Sequence, residues 1–76
     1  MRPDEFKQKL MMLDDKIMKL SAETQQKLYD IADKYELIYN ELILTDSYSP
    51  DKESELLDNY YSELVLAIET DANVGK

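Results

Sequence analysis

Residues 28–44, with the sequence LYDIADKYELIYNELIL, decide the fold. Placed at about 100° per residue, the apolar side chains gather on one side of a helix, and Asp30, Asp33, Lys34 and Glu41 lie opposite. The apolar side consists of Leu28, Ile31, Ala32, Tyr35, Ile38, Tyr39, Leu42 and Ile43. This pattern is typical of an amphipathic helix, whose apolar face has to be covered by other segments. We therefore expect the segments on either side to pack against it.

The segment before it carries a matching apolar strip. Pro3 suits the first turn of a helix, because its φ is fixed and its missing N–H would have no partner there. Asp4 and Glu5 follow, and acidic residues are favourable near a helix N-terminus. Apolar residues then recur at alternating steps of four and three, at Phe6, Leu10, Leu13, Ile17 and Leu20. The sequence predicts a first helix at about residues 4–20.

The connection between the first two helices has two readings. Ala22 is the only apolar residue between Leu20 and Leu28. Ser21 is a good N-cap, which favours a tight turn followed by a second helix at residues 22–44. The alternative is one continuous helix over residues 4–44, since no Gly or Pro interrupts it. Such a rod would leave both apolar strips uncovered within one chain, so it would require a dimer or a larger assembly.

A clear break follows at residues 45–50, where polar residues precede Pro50. Proline disfavours helical geometry at the residue before it, so Ser49 is expected to act as the N-cap and Pro50 as the first helical residue. The apolar pattern then continues to about Thr70. The sequence predicts a third helix at residues 50–70 and a disordered tail at residues 71–76.

These three segments predict an all-α fold, a three-helix bundle formed by one domain over residues 1–76. A chain of 76 residues is near the lower size limit for a core that is stable alone, so self-association into a homodimer is an alternative way to gain burial. The predicted core consists of Phe6, Leu10, Leu13, Ile17, Leu28, Ile31, Tyr35, Ile38, Leu42, Leu57, Tyr60, Leu64 and Ile68.

The charge of the chain points to its class of partner. The net charge is −8, and the whole excess of acidic residues lies from Tyr35 onward. A chain of this sign repels nucleic acid and anionic lipid, so we expect neither as a partner and favour a protein with a basic surface. The longest apolar run, residues 64–68, is far too short to span a bilayer.

The absence of cysteine and histidine from the sequence restricts its chemistry. The sequence offers no thiol nucleophile, no imidazole base and no thiolate or imidazole metal ligand. The acidic start of the chain does not match a signal peptide, and without disulfides a cytoplasmic location is expected. We therefore expect a protein without catalytic residues, metal or cofactor.

The most specific candidate for a binding site is on the third helix. Asp51, Glu55, Asp58 and Glu69 fall within a narrow arc on the side away from the predicted core. Neighbouring like charges repel, so an uncompensated row of carboxylates favours a site for Lys and Arg of a partner. The alternative is an ordinary solvated face that keeps the protein in solution. Tyr48, just before this helix, is a further candidate for partner binding, because tyrosine is frequent in protein interfaces.

A second candidate surface is apolar. Leu37 and Leu44 are seven residues apart among charged neighbours of the second helix, and Met11 and Met18 are similarly spaced on the first. These strips would suit contact between copies of the chain. Alternatively, the leucines are scattered surface residues and the methionines fill space beside the core.

Residues 54–58, with the sequence SELLD, resemble the Ser-Gln-Glu-Leu-Asp signature of the short aspartyl-phosphate phosphatases that regulate sporulation in Gram-positive bacteria. Ser54, Leu57 and Asp58 match that signature, whereas Leu56 replaces its Glu. The family consists of helical hairpins of similar length, and this chain has an additional N-terminal helix. The resemblance implies a protein that docks on a phosphorylated response regulator, with Asp58 as the signature aspartate.

Three functional hypotheses follow. The first is a non-catalytic acidic interaction module, in its narrower form an inhibitor from a phage or mobile element that imitates the charge of DNA. Such an inhibitor would occupy a basic, nucleic-acid-binding surface of its partner. The second is a self-assembling structural subunit, and the third is a small regulatory phosphatase.

Overall fold

The computed structural model describes residues 1–71, which form three helices and no strand. They are α1 (Pro3–Met18), α2 (Ala22–Leu44) and α3 (Pro50–Glu69). The predicted all-α three-helix fold is confirmed. The second helix has the predicted bounds, whereas the first ends two residues earlier than expected and the third ends one residue earlier.

Serine N-caps precede α2 and α3, whereas α1 begins after Arg2 without a side-chain cap. The Ser21 hydroxyl accepts from the Thr24 N–H at 3.3 Å, and the Ser49 hydroxyl accepts from the Lys52 N–H at 3.2 Å. Pro3 and Pro50 occupy the first turns of α1 and α3. The break at residues 19–21 shows that α1 and α2 are separate helices, so the continuous rod is wrong.

The C-terminus of α2 is closed by a Schellman motif. The Ser47 N–H donates to the Leu42 carbonyl at 2.9 Å, and the Asp46 N–H donates to the Ile43 carbonyl at 3.2 Å. Asp46 adopts φ 56° in this turn. Aspartate tolerates this left-handed conformation better than most residues do, so the chain can reverse here without glycine.

The third helix is the centre of the bundle. It packs against both α1 and α2, whereas α1 and α2 make hardly any direct contact with each other. The ring of Tyr60 joins the three helices: it stacks on Tyr35 at a centroid distance of 4.9 Å and meets Phe6 at 4.9 Å. The expectation that α1 covers the apolar face of α2 is therefore wrong, because α1 packs on α3 instead.

The buried residues also differ from the predicted core. The buried apolar residues among those described are Leu20, Tyr35, Leu56, Leu64 and Ile68. Leu56 is 8% exposed, whereas Leu57, which was predicted for the core, is only half-buried. Ile38 is 40% exposed and Ile43 is exposed as well. Two differences of packing account for these changes. The side of α3 that faces α2 carries Leu56. Ile38 lies at the edge of that contact beside Lys52 and Asn59, whose polar side chains leave it partly exposed.

A polar contact fastens the end of α3 to the start of α2. The backbone N–H and the hydroxyl of Ser21 donate to Asp71 Oδ2 at 3.1 and 2.7 Å. Asp71 is 3% exposed, although the sequence placed it in a disordered tail. Residues 72–76, the rest of the predicted tail, lie outside the described residues. The Asp71 carboxylate stands at the N-terminus of α2, where negative charge is favourable.

Candidate functional site

The acidic face of α3, which consists of Asp51, Glu55, Asp58 and Glu69, is exposed along its whole length. The helix begins at Pro50, and its periodicity puts these residues opposite Tyr60, whose ring contacts α1 and α2. At 1.5 Å per residue the face extends over about 27 Å. The structure therefore brings together all four carboxylates that the sequence predicted as a group.

The four carboxylates differ in their charge partners. Asp58 Oδ1 lies 2.9 Å from the amino group of Met1, which also contacts the Ser54 hydroxyl. Asp58 is still 59% exposed, but a partner would have to compete with this amino group. In the described part of the chain, Asp51, Glu55 and Glu69 form no ion pair. Within residues 1–71, three of the four carboxylates thus have no ion-pair partner.

Two residues that match the phosphatase signature, Ser54 and Asp58, contact the amino group of Met1. The contacting groups are the Ser54 hydroxyl and the Asp58 carboxylate, and Leu57 is half-buried. Met1 precedes α1, the helix that the phosphatase hairpins lack. The additional helix therefore brings the N-terminus onto the residues that carry the resemblance.

Tyr48 lies in the loop before α3 and belongs to a small aromatic cluster. Its ring meets the Tyr39 ring edge-on, with centroids 6.1 Å apart. Partial burial raises the pKa of Tyr48, and the Glu53 carboxylate raises it further. Tyr48 therefore lies beside Tyr39 and Glu53. Glu53 is about 160° around α3 from Asp51, so these contacts do not place Tyr48 on the acidic face.

The two apolar strips are exposed as predicted. Leu37 and Leu44 are 69% and 85% exposed on the side of α2 opposite Tyr35. Met11 and Met18 are exposed on α1. The two strips belong to helices that hardly touch each other, so each is a separate surface.

Sequence reasoning missed a link between α2 and α3. Lys34 Nζ lies 2.6 Å from Glu63 Oε1 and 4.9 Å from the centre of the Tyr35 ring. Lys34 and then Tyr35 hold the pKa of Glu63 below its ordinary value. Burial and, to a smaller extent, Glu63 raise the pKa of Tyr35 to about 12. Nothing in the spacing of these residues indicates the contact, because it depends on how two helices are aligned.

A groove along α2 was also missed. One part, of about 230 Å³, lies between Leu10 and Ile17 of α1 and Tyr29 of α2. A second part, of about 290 Å³, lies between Glu36 of α2 and Leu57 of α3. Both parts are lined by Ala32 and Tyr60, so they adjoin each other along one side of α2, and we call the two together the α1/α2 groove. Its sequence signal was the width of the apolar face of α2, which exceeds what one neighbouring helix covers.

Among residues 1–71, no group of three acidic side chains is arranged to hold a metal ion. None of the three helices, over the range that the structure describes, has the length and apolar character required to cross a bilayer. Comparison of the chain with known protein families, with curated proteins and with solved structures finds no match.

Proposed function

We propose that this chain is a non-catalytic interaction module that binds a basic surface of another protein through the acidic face of α3. The observation that carries the proposal is the row of exposed carboxylates with no ion-pair partner within residues 1–71. Lys52 is the only basic residue of α3. An unmatched row of like charge raises the local concentration of a basic partner and speeds its association.

A narrower form of the proposal concerns the kind of partner. Basic protein surfaces commonly serve to bind nucleic acid, whose phosphates they neutralise. A rigid helix that presents carboxylates over about 27 Å can occupy such a surface. In this form the protein is an inhibitor that excludes nucleic acid from its partner by charge mimicry.

The test is capture of partners from a lysate with the double variant Asp51→Lys/Glu55→Lys. Both side chains are exposed and neither has an ion-pair partner in the described part. The expected structural cost is the loss of one favourable charge in the first turn of α3, roughly 0.3–1 kcal/mol, and circular dichroism checks that helicity is kept. We expect the variant to lose most of the captured protein, and we expect the wild-type complex to elute as salt increases, because salt screens exposed charges.

The matched control is Asp30→Lys/Glu41→Lys, which makes the same change of charge on the exposed side of α2. It should retain the partner. Equal retention, or equal loss, by the two double variants would contradict a role for the acidic face.

A second candidate function is a self-assembling structural subunit. The observation that favours it is the exposure of Leu37 and Leu44, two large apolar side chains on one line of α2. Contact between copies through this strip would bury both leucines and add to a small core.

A further inference from the structure

The α1/α2 groove is apolar and lies open to solvent. Its floor is formed by Tyr60 and Leu64 of α3, and Leu28 and Ala32 of α2 form one wall. Tyr29, on the same wall, is 66% exposed. Apolar grooves of this kind are where proteins receive the apolar side of a helix. The groove is separate from the acidic face, which lies on the outer side of α3.

The rim of the groove on α2 is acidic. Glu36 lines the groove, and Asp33, one turn earlier, is exposed beside it. Glu36 and Tyr60 line the same part of the groove. Burial first, and then the carboxylates of Asp33 and Glu36, raise the pKa of Tyr60. Neither carboxylate forms an ion pair with any residue that the structure describes.

The length of the groove defines the size of its occupant. The residues of α2 that line it extend from Gln25 to Tyr39. At 1.5 Å per residue this corresponds to about 21 Å, or about four turns of helix. A helix that fits needs apolar residues at a spacing of three and four, flanked by basic residues that can pair with the rim.

We propose that the α1/α2 groove binds an amphipathic helix of another protein, with Lys or Arg beside its apolar face. A second copy of this chain is a poor occupant, because each copy carries a net charge of −8 and the two copies repel each other. A basic amphipathic helix covers the apolar floor with its apolar face and places Lys or Arg beside Asp33 and Glu36. This site goes beyond the proposed function, since it uses a different surface and adds an apolar contact.

The test uses synthetic helical peptides of about 16 residues, a length that covers the groove. The probe contains Leu, Lys and Arg with the leucines on one face. A scrambled peptide of the same composition keeps the charge and loses the apolar face. Affinities are measured by calorimetry at physiological ionic strength. We expect the amphipathic peptide to bind at least about tenfold more tightly than the scrambled one, because only it can fill the groove.

Two variants localise the binding. Asp33→Asn/Glu36→Gln neutralises the rim and is expected to weaken binding of the amphipathic peptide several-fold. Ala32→Phe places a large side chain in the groove and is expected to abolish the preference for the amphipathic peptide. Asp30→Asn/Glu41→Gln removes the same charge from exposed positions of α2 that do not line the groove and should leave that preference unchanged. Circular dichroism and urea unfolding check that each variant is folded.

Three results would overturn the inference. The first is equal affinity for the amphipathic and scrambled peptides. The second is an effect of Asp30→Asn/Glu41→Gln on the preference that equals or exceeds the effect of the rim variant. The third is a wild-type dimer in sedimentation that Ala32→Phe dissociates, which would make a second copy the occupant. The lysate experiment with the acidic face is independent, so either proposal can fail while the other stands.

Discussion

Single residues in this protein connect helices that the chain order separates. Asp71 ties the end of α3 to Ser21, and Lys34 ties α2 to Glu63 of α3. These contacts could not be predicted from the sequence, because each depends on the alignment of two helices rather than on a local spacing. The capping roles of Ser21 and Ser49 could be predicted, since they depend only on neighbouring residues.

Tyr35 provides a prediction at the residue scale. Its pKa is raised from 10.0 to about 12 in the folded protein, chiefly by burial. A phenol with a raised folded-state pKa stabilises the fold below its unfolded-state pKa, and this contribution is lost as pH rises from 10 towards 12. We expect the urea midpoint to fall over this range and Tyr35 to be the last tyrosine to ionise in an ultraviolet titration.

Tyr35→Phe is the matched variant, because it keeps the ring that stacks on Tyr60 and removes the ionisable group. The lysines also lose charge in this range, and they do so in both proteins. The variant should therefore lose less stability than the wild type between about pH 8 and about pH 11. An equal loss in both would mean that the Tyr35 hydroxyl is not responsible.

At the scale of the elements, α3 is the helix on which the other two depend. The sequence pointed to α2 as the organising helix, because α2 has the longest regular apolar pattern. The bounds of all three helices were predicted to within two residues, since proline and serine caps fix them locally. The neighbours of each helix were not predicted correctly, because apolar strips of similar width can pair in more than one way.

The orientation of α3 can be tested with two adjacent leucines. Leu56 is buried against α2, whereas Leu57 faces the α1/α2 groove and is half-buried. We expect Leu56→Ala to lower the free energy of unfolding by about 2–4 kcal/mol and Leu57→Ala by about 1 kcal/mol. Urea unfolding of the two variants measures this difference. A larger loss for Leu57→Ala than for Leu56→Ala would instead support the orientation predicted from the sequence, with Leu57 in the core.

On the scale of the whole molecule, the uneven charge and the exposed apolar side chains act against each other. Ten acidic residues from Tyr35 onward make copies of the chain repel one another, while the Leu37 and Leu44 strip favours association. The exposure of the acidic face could be predicted, because helical periodicity alone fixes it. The pairing of Asp58 with Met1 could not, because it requires the path of α1 across α3.

Charge repulsion and the exposed leucines make opposite predictions for the assembly state. If the protein acts as an interaction module, the wild type should sediment as a monomer at moderate salt, and Leu37→Glu should not change this. Leu37 is 69% exposed, so the substitution is not expected to unfold the chain. A wild-type dimer that Leu37→Glu converts to a monomer would instead favour the structural subunit.

The contact pattern of the helices has a consequence for how a bound helix would be seated. In a four-helix bundle each helix touches two neighbours and lies diagonally across from the third. In this protein α3 has two neighbours, and α1 and α2 stand in the diagonal relation. The molecule thus has the arrangement of a four-helix bundle from which one corner is missing. A guest helix in the groove would take that corner, opposite α3, and complete the bundle.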